Sequence, residues 1–186
     1  AGLAGLEIEG WSLHVSVSRK MGLRAIQVHV TINGEIEGPA STAPNQVTTG
    51  HSHHADHGHR SYREIVRIIE GASLPAAVEE RALQAFEVLA DAEARAHGIP
   101  TEDVHFHEVG AIDSIVDICG VAFGLHALGI DRIESAPLPL GRGFINTAHG
   151  RIPLPAPATL EVVTGLPVVD SGLERELVTP TGAAFL

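Results

Sequence analysis

The stretch VHFHEVGAIDSIVDICGVAFGLHAL, residues 104–128, predicts the fold class of this chain. Its first residues alternate in polarity, which is typical of a short strand that points Val104 and Phe106 towards a core. Residues 112–128 are apolar on almost every side and predict a buried helix. Gly110 lies between the two and permits a turn. This order of elements indicates a mixed α/β (α+β) fold in which short strands alternate with helices.

The same stretch carries polar residues at repeating spacings. His105 and His107 share one face of the predicted strand, and Glu108 follows at its end. Asp113 falls in the first helical turn, where a carboxylate can bind free amides, and Asp117 follows one turn later on the same face. Two imidazoles and up to three carboxylates could hold nickel or zinc. The alternative is a hydrogen-bonded polar network at a strand–helix junction.

An antiparallel hairpin is predicted upstream, in WSLHVSVSRKMGLRAIQVHVTING, residues 11–34. Apolar and polar residues alternate on both sides of a glycine-containing turn, which predicts two paired strands with one buried face. His14 and His29 have the opposite parity from the apolar residues, so we expect both to be exposed. Residues 34–60 are rich in Gly, Pro, Ser, Thr and His and predict a long mobile loop.

That loop contains a tract of five histidines within nine residues, HSHHADHGH. Imidazole nitrogens bind nickel, zinc, copper or cobalt, but no helix or strand is predicted to hold these rings in place. We therefore expect weak, exchangeable metal binding; a polar linker and an engineered tag are the alternatives. The residues concerned are His51, His53, His54, His57 and His59.

Two helices are predicted after the loop. Ser61 and Glu64 have the spacing of a capping box, which begins a helix that Gly71 ends. Pro75 occupies a favoured first-turn position of a longer helix, which Gly98 stops. The apolar stripe of the longer helix should be buried and consists of Val78, Ala82, Leu83, Phe86, Leu89, Ala90 and Ala94.

The last third of the chain predicts shorter elements. We expect a strand near Ile133, a loop over residues 141–159, a short helix over 158–165, and a strand, a loop and a first helical turn over 177–186. One domain is predicted, with a β-hairpin segment at 1–33, the His-rich loop at 34–60 and an α/β core at 61–186. Both ends have the composition of structured chain, so we expect a fragment of a longer protein.

Two loops of this last third are candidates for binding an anion. In LGRGFINTAHG, residues 140–150, glycines allow close backbone approach and arginine can clamp a phosphate or carboxylate. In TPTG, residues 179–182, hydroxyls and amides fall at a predicted helix start. An ordinary Gly-rich turn and an ordinary capped helix are the alternatives. The candidate residues are Gly141, Arg142, Gly143, Thr147, His149, Thr179 and Thr181.

The composition argues against several classes of protein. The 186-residue chain has a net charge of −11 and a single lysine, Lys20, so it lacks the clustered cations that nucleic-acid binding requires. One cysteine, Cys119, excludes a disulfide framework within the chain and is expected in the core. No signal peptide, membrane span, Walker P-loop or nucleophile elbow is found in the sequence. We expect a cytoplasmic protein with no membrane partner.

Three blocks of sequence resemble the LarC family of nickel insertion proteins. They are VHFHEVGAIDSIVDICG, SAPLPLGRGFINTAHGRIPLPAPATLE and ELVTPTGA, and they follow the His-rich loop in that order. The resemblance covers nearly the whole chain and is most specific over residues 104–183. The sequence lacks the family's N-terminal Asp-Cys…Gly-Asp-Met stretch and its C-terminal domain linked to CTP binding. We therefore expect a fragment from the N-terminal region.

The resemblance implies a lyase-class cyclometallation in cofactor maturation for lactate racemase. Nickel is inserted into pyridinium-3,5-bisthiocarboxylic acid mononucleotide, with formation of Ni–C and Ni–S bonds. The family reaction uses CTP with Mg²⁺ or Mn²⁺, which we expect to bind outside this chain. The implied partners are the pyridinium dithio mononucleotide, the chain's own missing segments and the lactate racemase apoprotein, and a homo-oligomer is expected. This chain could bind metal or substrate without being active alone.

The resemblance also suggests roles for the candidate residues. His105, His107, Glu108 and Asp113 are assigned to catalysis, where a His or a carboxylate could accept the proton lost from the ring carbon. Asp117 and the five loop histidines are assigned to nickel, and the Gly- and Thr-bearing loops to the substrate phosphate. A non-catalytic nickel metallochaperone or storage module is the alternative function, and a metal-dependent hydrolase is a third.

Overall fold

The computed structural model describes residues 2–36, 60–106, 111–147 and 150–186. Its elements are β1 Trp11–Lys20, β2 Leu23–Ile32, β3 Glu35–Ile36, β4 Arg60–Ser61, α1 Tyr62–Gly71, α2 Ala76–His97, β5 His105–Phe106, α3 Ile112–Ala127, β6 Leu138–Leu140, β7 Phe144–Thr147, β8 Gly150–Pro153, α4 Pro157–Val162, β9 Val168–Asp170 and α5 Pro180–Ala183. An antiparallel hairpin is followed by helices and short strands, so the predicted mixed α+β class is confirmed. Among the described helices, none combines the length and apolarity that a membrane crossing needs.

The hydrophobic core forms around α2, which packs against α1, α3 and α4. The predicted stripe is confirmed, since all its members are buried except Leu83, which is half-buried. Phe86 of α2 meets Phe106 of β5 edge to face, with ring centroids 6.2 Å apart. This contact attaches β5, the short strand that precedes α3 in the sequence, to α2.

The helix boundaries follow the predicted signals. The Ser61 hydroxyl accepts a hydrogen bond from the Glu64 amide at 3.3 Å, and the Glu64 carboxylate accepts one from the Ser61 amide at 2.8 Å, so the capping box is confirmed. Pro75 is the N-cap of α2, one residue before the predicted first-turn position. Gly98 ends α2 with a left-handed φ of 67°, which glycine adopts without steric cost.

The predicted antiparallel pairing of β1 and β2 is confirmed, but the predicted burial of the hairpin is not. Its two-residue turn, Met21 and Gly22, has positive φ at both positions, as a type I′ turn requires. The expectation of one buried face is wrong. Val30 and Ile32 are buried at the base, whereas Val17, nearer the turn, is 62% exposed. Ten-residue strands extend about 33 Å, so the outer half of the hairpin reaches beyond the described core.

The last third of the chain differs most from prediction. Ile133 lies in irregular chain, and a parallel pair forms instead between β6 and β9. The predicted loop over 141–159 contains the hairpin β7–β8, and the strand expected near 177 is not found within the described residues. Helices α4 and α5 are confirmed. The strands were missed because Gly and Pro are typical of loops, yet short edge strands tolerate proline at their ends and at bulges.

Candidate functional site

A cleft of about 510 Å³ lies between the first half of α3 and the amino end of α5. Ser114 and Asp117 line it from α3, and Thr179 and Thr181 line it from the chain around the start of α5. Apolar contact surface comes from Val121 and Phe185. The fold therefore joins an aspartate of the strand–helix stretch to the TPTG segment, two features that are far apart in sequence.

The pattern of α3 explains why polar groups line this cleft. Ser114, Asp117 and Val121 follow one another at spacings of three and four residues, so they share one face of the helix. The other faces bury apolar residues, namely Ile112, Ile115, Val116, Ile118, Cys119 and Ala122. Burial raises the pKa of the Cys119 thiol to about 12. Its predicted place in the core is confirmed, and the thiol takes no part in the cleft.

Asp113 acts on the first turn of α3. Its Oδ1 accepts a hydrogen bond from the Ser114 amide at 2.7 Å, so it satisfies one of the free amides at the helix start. Ala111 is the N-cap, and Asp113 therefore does this from inside the helix. Asp113 thus has a structural role at the start of α3, and its catalytic role stays a prediction.

Asp117 has an elevated affinity for its proton. Asp117 is exposed to solvent on one side and partly covered by the surrounding protein on the other. This partial desolvation raises the pKa of its carboxyl above the usual range, and the negative charge of Asp113 raises it further. The influence of Asp113 confirms that the two carboxylates lie on the same side of α3. A carboxylate with a raised pKa is a better proton acceptor than an ordinary aspartate, provided that it is ionised.

Thr179 has a defined structural task at the other wall of the cleft. Its Oγ1 accepts a hydrogen bond from the Gly182 amide at 3.2 Å and so caps α5, with Pro180 at a favoured first-turn position. A threonine hydroxyl that accepts one bond still has its own O–H to donate. Thr179 and Thr181 line the same cleft as Asp117, so a hydroxyl-bearing wall and a carboxylate-bearing wall belong to one site.

His105 lies on β5, where it is the register partner of Ser61 in β4. Its side chain is exposed and its Nδ1 is 3.0 Å from the carbonyl oxygen of Asp103, while Val104 and Phe106 are buried as predicted. The predicted strand parity is confirmed at these three positions. Eight predicted site residues lie outside the described residues: His51, His53, His54, His57, His59, His107, Glu108 and His149.

Two of the five metal ligands predicted around the start of α3, His107 and Glu108, lie outside the described residues. In the described ranges, no group of three or more His, Cys, Asp or Glu side chains could hold a metal ion. His105, Asp113 and Asp117 therefore do not form a complete ligand set by themselves. A metal bound at this place would need further donors, from elsewhere in the protein or from the substrate.

Arg142 is engaged within the fold. Its Nε donates to Asp170 Oδ1 at 2.9 Å and a terminal nitrogen donates to Asp170 Oδ2, so the pair is bidentate. The guanidinium holds the pKa of the Asp170 carboxyl below its usual range, helped by a hydrogen bond from the Gly172 amide. The pair connects the ends of the parallel strands β6 and β9. An anion at Arg142 would have to share the guanidinium with Asp170, and the phosphate role stays a prediction.

The glycines beside Arg142 are explained by the backbone. A Cβ at Gly141 would collide with the carbonyl group of Arg175, and Gly143 has a φ of 102°. The Arg142 amide donates to the Leu173 carbonyl at 2.8 Å, which holds the 173–175 segment against this loop. In β7, the Thr147 hydroxyl donates to a backbone carbonyl across the hairpin turn. Substrate binding by Gly141, Gly143 and Thr147 stays a prediction.

Sequence reasoning missed several residues of this region. Ser114 could have been found from its spacing of three residues before Asp117 on the predicted helix. Asp170 gave no local signal, because it lies 28 residues from Arg142 and the two meet only when β6 and β9 pair. Val121 was expected to be buried with the rest of its helix but is 44% exposed, and Phe185 carried no functional signal in the sequence.

A family model described as nickel insertion protein matches residues 1–186 of this chain. A pyridinium-3,5-bisthiocarboxylic acid mononucleotide nickel insertion protein of Geobacillus kaustophilus is 47% identical over 184 residues, which cover 99% of this chain and 42% of the relative. A protein of the same name from Desulfitobacterium hafniense (strain DSM 10664 / DCB-2) is 41% identical over 184 residues, which cover 99% of this chain and 40% of the relative. The chain thus spans about two fifths of the length of these curated relatives.

No solved structure matches the chain. The family match extends over its full length, and the two relatives align with all but a few of its residues. The chain therefore belongs to the nickel insertion protein family.

Proposed function

We propose that this chain forms part of a protein that inserts nickel into pyridinium-3,5-bisthiocarboxylic acid mononucleotide, the compound for which two of its relatives are named. Nickel is a substrate of this reaction. The observation that carries the proposal is the cleft between α3 and α5, whose lining residues include an aspartate with a raised pKa, two threonines and apolar contact surface.

The reaction requires a base. When Ni²⁺ replaces hydrogen on a ring carbon, the electron pair of the C–H bond becomes the Ni–C bond and the hydrogen leaves as a proton. Asp117 is our candidate for the acceptor of that proton, because its pKa is raised and it faces a cleft large enough for a substrate. Asp113, one turn away, acts through Asp117 by raising its proton affinity.

The cleft suits the parts of this substrate. Its volume of about 510 Å³ is within the usual range of small-molecule sites. The ring of Phe185 and the carboxylate of Asp117 both favour a cationic pyridinium ring, the first through its π electrons and the second through its charge. The hydroxyls of Thr179 and Thr181 can donate to a carboxylate or phosphate oxygen.

The substrate itself can supply most of the ligands that nickel needs here. Its two thiocarboxylate sulfurs are soft donors, which suit late transition metals, and the ring carbon becomes a third donor. A protein site that releases nickel into such a product needs few ligands of its own.

The His tract at residues 51–59 would gather nickel before insertion. Five imidazoles without predicted regular structure should bind the ion weakly and release it readily. The same tract favours the alternative function, a metallochaperone or store that binds nickel and forms no product.

CTP with Mg²⁺ or Mn²⁺ is proposed to act elsewhere in the longer protein. The sequence has no P-loop, and the described residues offer no three-ligand group for the ion, so we assign no residue of this chain to the nucleotide. Cytoplasmic location, assembly into a homo-oligomer and contact with the lactate racemase apoprotein also belong to this proposal.

The proposal is tested by nickel insertion with the full-length protein that contains this chain. Nickel, CTP and the pyridinium dithio mononucleotide are supplied, and the nickel-containing product is quantified. Asp117→Asn keeps the shape of the side chain and removes the base, so we expect the rate to fall by about 100-fold or more. Asp131→Asn, at an exposed position outside the cleft, is the matched control and should keep the wild-type rate.

Two outcomes would contradict the proposal. A folded Asp117→Asn variant with the wild-type rate would remove Asp117 from proton transfer. Nickel binding by the wild-type protein without any product, when all three substrates are supplied, would favour the metallochaperone function instead.

A further inference from the structure

His14 of β1 and His29 of β2 are direct register partners in the antiparallel hairpin. Directly opposed residues of an antiparallel pair point to the same face, and their Cβ atoms are about 4.5–5.5 Å apart. His14 is exposed and His29 is half-buried, so both rings can be reached from solvent. The hairpin therefore presents two imidazoles side by side on one surface.

A neighbouring pair on the same face shows how closely the side chains approach. Ser12 and Thr31 are register partners two residues from the histidines, and their hydroxyl oxygens are 2.7 Å apart. Pairs two residues apart on an antiparallel ladder belong to the same hydrogen-bonding class and share the same strand spacing. The spacing that lets two short hydroxyl side chains touch therefore also applies at His14 and His29.

Two imidazole nitrogens can bind one cation at this spacing. A nitrogen ligand lies about 2.0–2.1 Å from a zinc-like divalent ion, so two such nitrogens are about 3 Å apart. Rings attached to Cβ atoms about 5 Å apart reach that separation by choice of side-chain rotamer. Water can fill the remaining coordination positions, because the face is open to solvent.

The side chains nearest the pair along the hairpin carry no charge, and the three cationic side chains of the hairpin, Arg19, Lys20 and Arg24, lie near its turn. The nearest cationic side chain along this face of β1 is Lys20, six residues or about 20 Å away from His14. Within the described part of the chain, neither imidazole has a hydrogen-bond or ion-pair partner that would compete with a metal. The whole chain has a net charge of −11. The side chains that flank the pair on this face are neutral and polar: Ser12, Ser16, Gln27 and Thr31.

We propose that His14 and His29 together bind a divalent transition-metal cation of the Ni²⁺, Zn²⁺ or Cu²⁺ class on the polar face of the hairpin. Imidazole nitrogen is a preferred ligand of these ions. The site uses no residue of the α3–α5 cleft and none of the His tract. The inference rests on the register, the exposure and the neighbouring side chains of the hairpin and does not depend on the proposed insertion reaction.

The test is a titration of the ¹⁵N-labelled 186-residue chain with NiSO₄, followed by amide NMR. Ni²⁺ is paramagnetic and broadens the resonances of amides near it, so binding at the hairpin is resolved from binding anywhere else in the chain. We expect broadening centred on residues 12–16 and 27–31. His14→Gln and His29→Gln should each abolish the hairpin broadening.

A relocated histidine provides the matched control. The double variant His14→Gln/Ser18→His keeps two histidines on the same face but moves one ring about 13 Å along β1. Hairpin broadening should be lost in this variant as well, because the two rings can no longer reach one ion. A dispersed amide spectrum of each variant, recorded without nickel, verifies that the hairpin is still folded.

Three outcomes would overturn the proposal. They are hairpin broadening that persists in either single variant, hairpin broadening that is unchanged in the relocated variant, and no hairpin broadening in the wild-type chain at nickel concentrations that broaden other parts of the spectrum. Because the measurement uses the metal alone, failure of the insertion reaction would leave its result unchanged.

Discussion

Asp113 and Asp117 lie one turn apart on α3, and the charge of Asp113 adds to desolvation in raising the pKa of Asp117. Both effects disfavour the ionised form of Asp117 in the folded chain. The fold therefore keeps a carboxylate at a place where ionising it costs free energy. Such a local cost is common where a group serves a reaction rather than stability.

Asp117→Asn is predicted to stabilise the chain at neutral pH. A carboxyl whose folded pKa is raised contributes stability below its unfolded pKa and loses that contribution as pH rises through the folded pKa. At pH 7 the wild type carries the unfavourable charge, and the asparagine variant does not. We expect a gain of less than about 1 kcal/mol in the free energy of unfolding, because Asp117 keeps contact with solvent that screens its charge.

Urea unfolding of both chains between pH 7 and pH 3 measures this effect. The advantage of the variant should shrink as pH falls towards the range in which an ordinary aspartate is protonated, since Asp117 is then neutral in both states of the wild type. A variant that is less stable at pH 7, or whose advantage grows on acidification, would show that Asp117 is stabilising in its ionised form.

Two matched valine substitutions compare the core with the hairpin. Val78→Ala removes two methyl groups from a fully buried site on α2, and about 2 kcal/mol of stability should be lost. Val17→Ala makes the same change where the side chain is 62% exposed, and the free energy of unfolding should change by no more than about 0.5 kcal/mol. Chemical denaturation of the two variants checks the difference. Equal losses would show that the outer hairpin is packed against protein in solution.

These two valines also show what sequence periodicity can and cannot predict. The helical stripe that contains Val78 predicted its burial correctly, because a stripe on a long helix must face a partner. The alternation around Val17 predicted the paired strands correctly but not the burial. Alternation identifies which residues share a face, whereas burial of that face depends on whether another element covers it.

The cleft could be predicted only in part for a related reason. The spacing of Asp113 and Asp117 placed both on one side of a helix, and TPTG predicted a capped helix start, both from local rules. Whether Asp117 and Thr179 line one cleft depends on how α3 and α5 are placed in the tertiary fold. In the same way, Arg142 and Asp170 come together only because β6 and β9 pair. The pairing could not be predicted, because the prolines in and around β6 are typical of loops.

Cys119 is predicted to be unreactive in the folded chain. Its side chain is fully buried in α3, and burial raises the pKa of its thiol to about 12, so almost no thiolate exists at pH 7.5. A disulfide reagent such as 5,5′-dithiobis(2-nitrobenzoic acid) should react at the rate at which the chain unfolds, and fast only in denaturant. Absorbance at neutral pH measures the rate. Prompt reaction without denaturant would place Cys119 at an accessible surface.

Gly141→Ala is predicted to destabilise the chain by more than about 2 kcal/mol. The new Cβ would collide with the carbonyl group of Arg175, and because that obstacle is backbone, relief requires the 173–175 segment to move away. Displacing that segment also breaks the hydrogen bond from the Arg142 amide to the Leu173 carbonyl. The loss should appear in thermal unfolding as a lower Tm.

Gly124→Ala provides the control with the opposite sign. Gly124 lies inside α3 and a Cβ there meets nothing within 4 Å, so alanine should stabilise the helix by about 0.5–1 kcal/mol. If Tm rises for Gly124→Ala and falls for Gly141→Ala, then Gly141 is required because the backbone packs closely against it. If Gly141→Ala kept the wild-type Tm and lost only nickel insertion in the full-length protein, the glycine would instead be required by the substrate, as the Gly-Arg-Gly pattern first indicated.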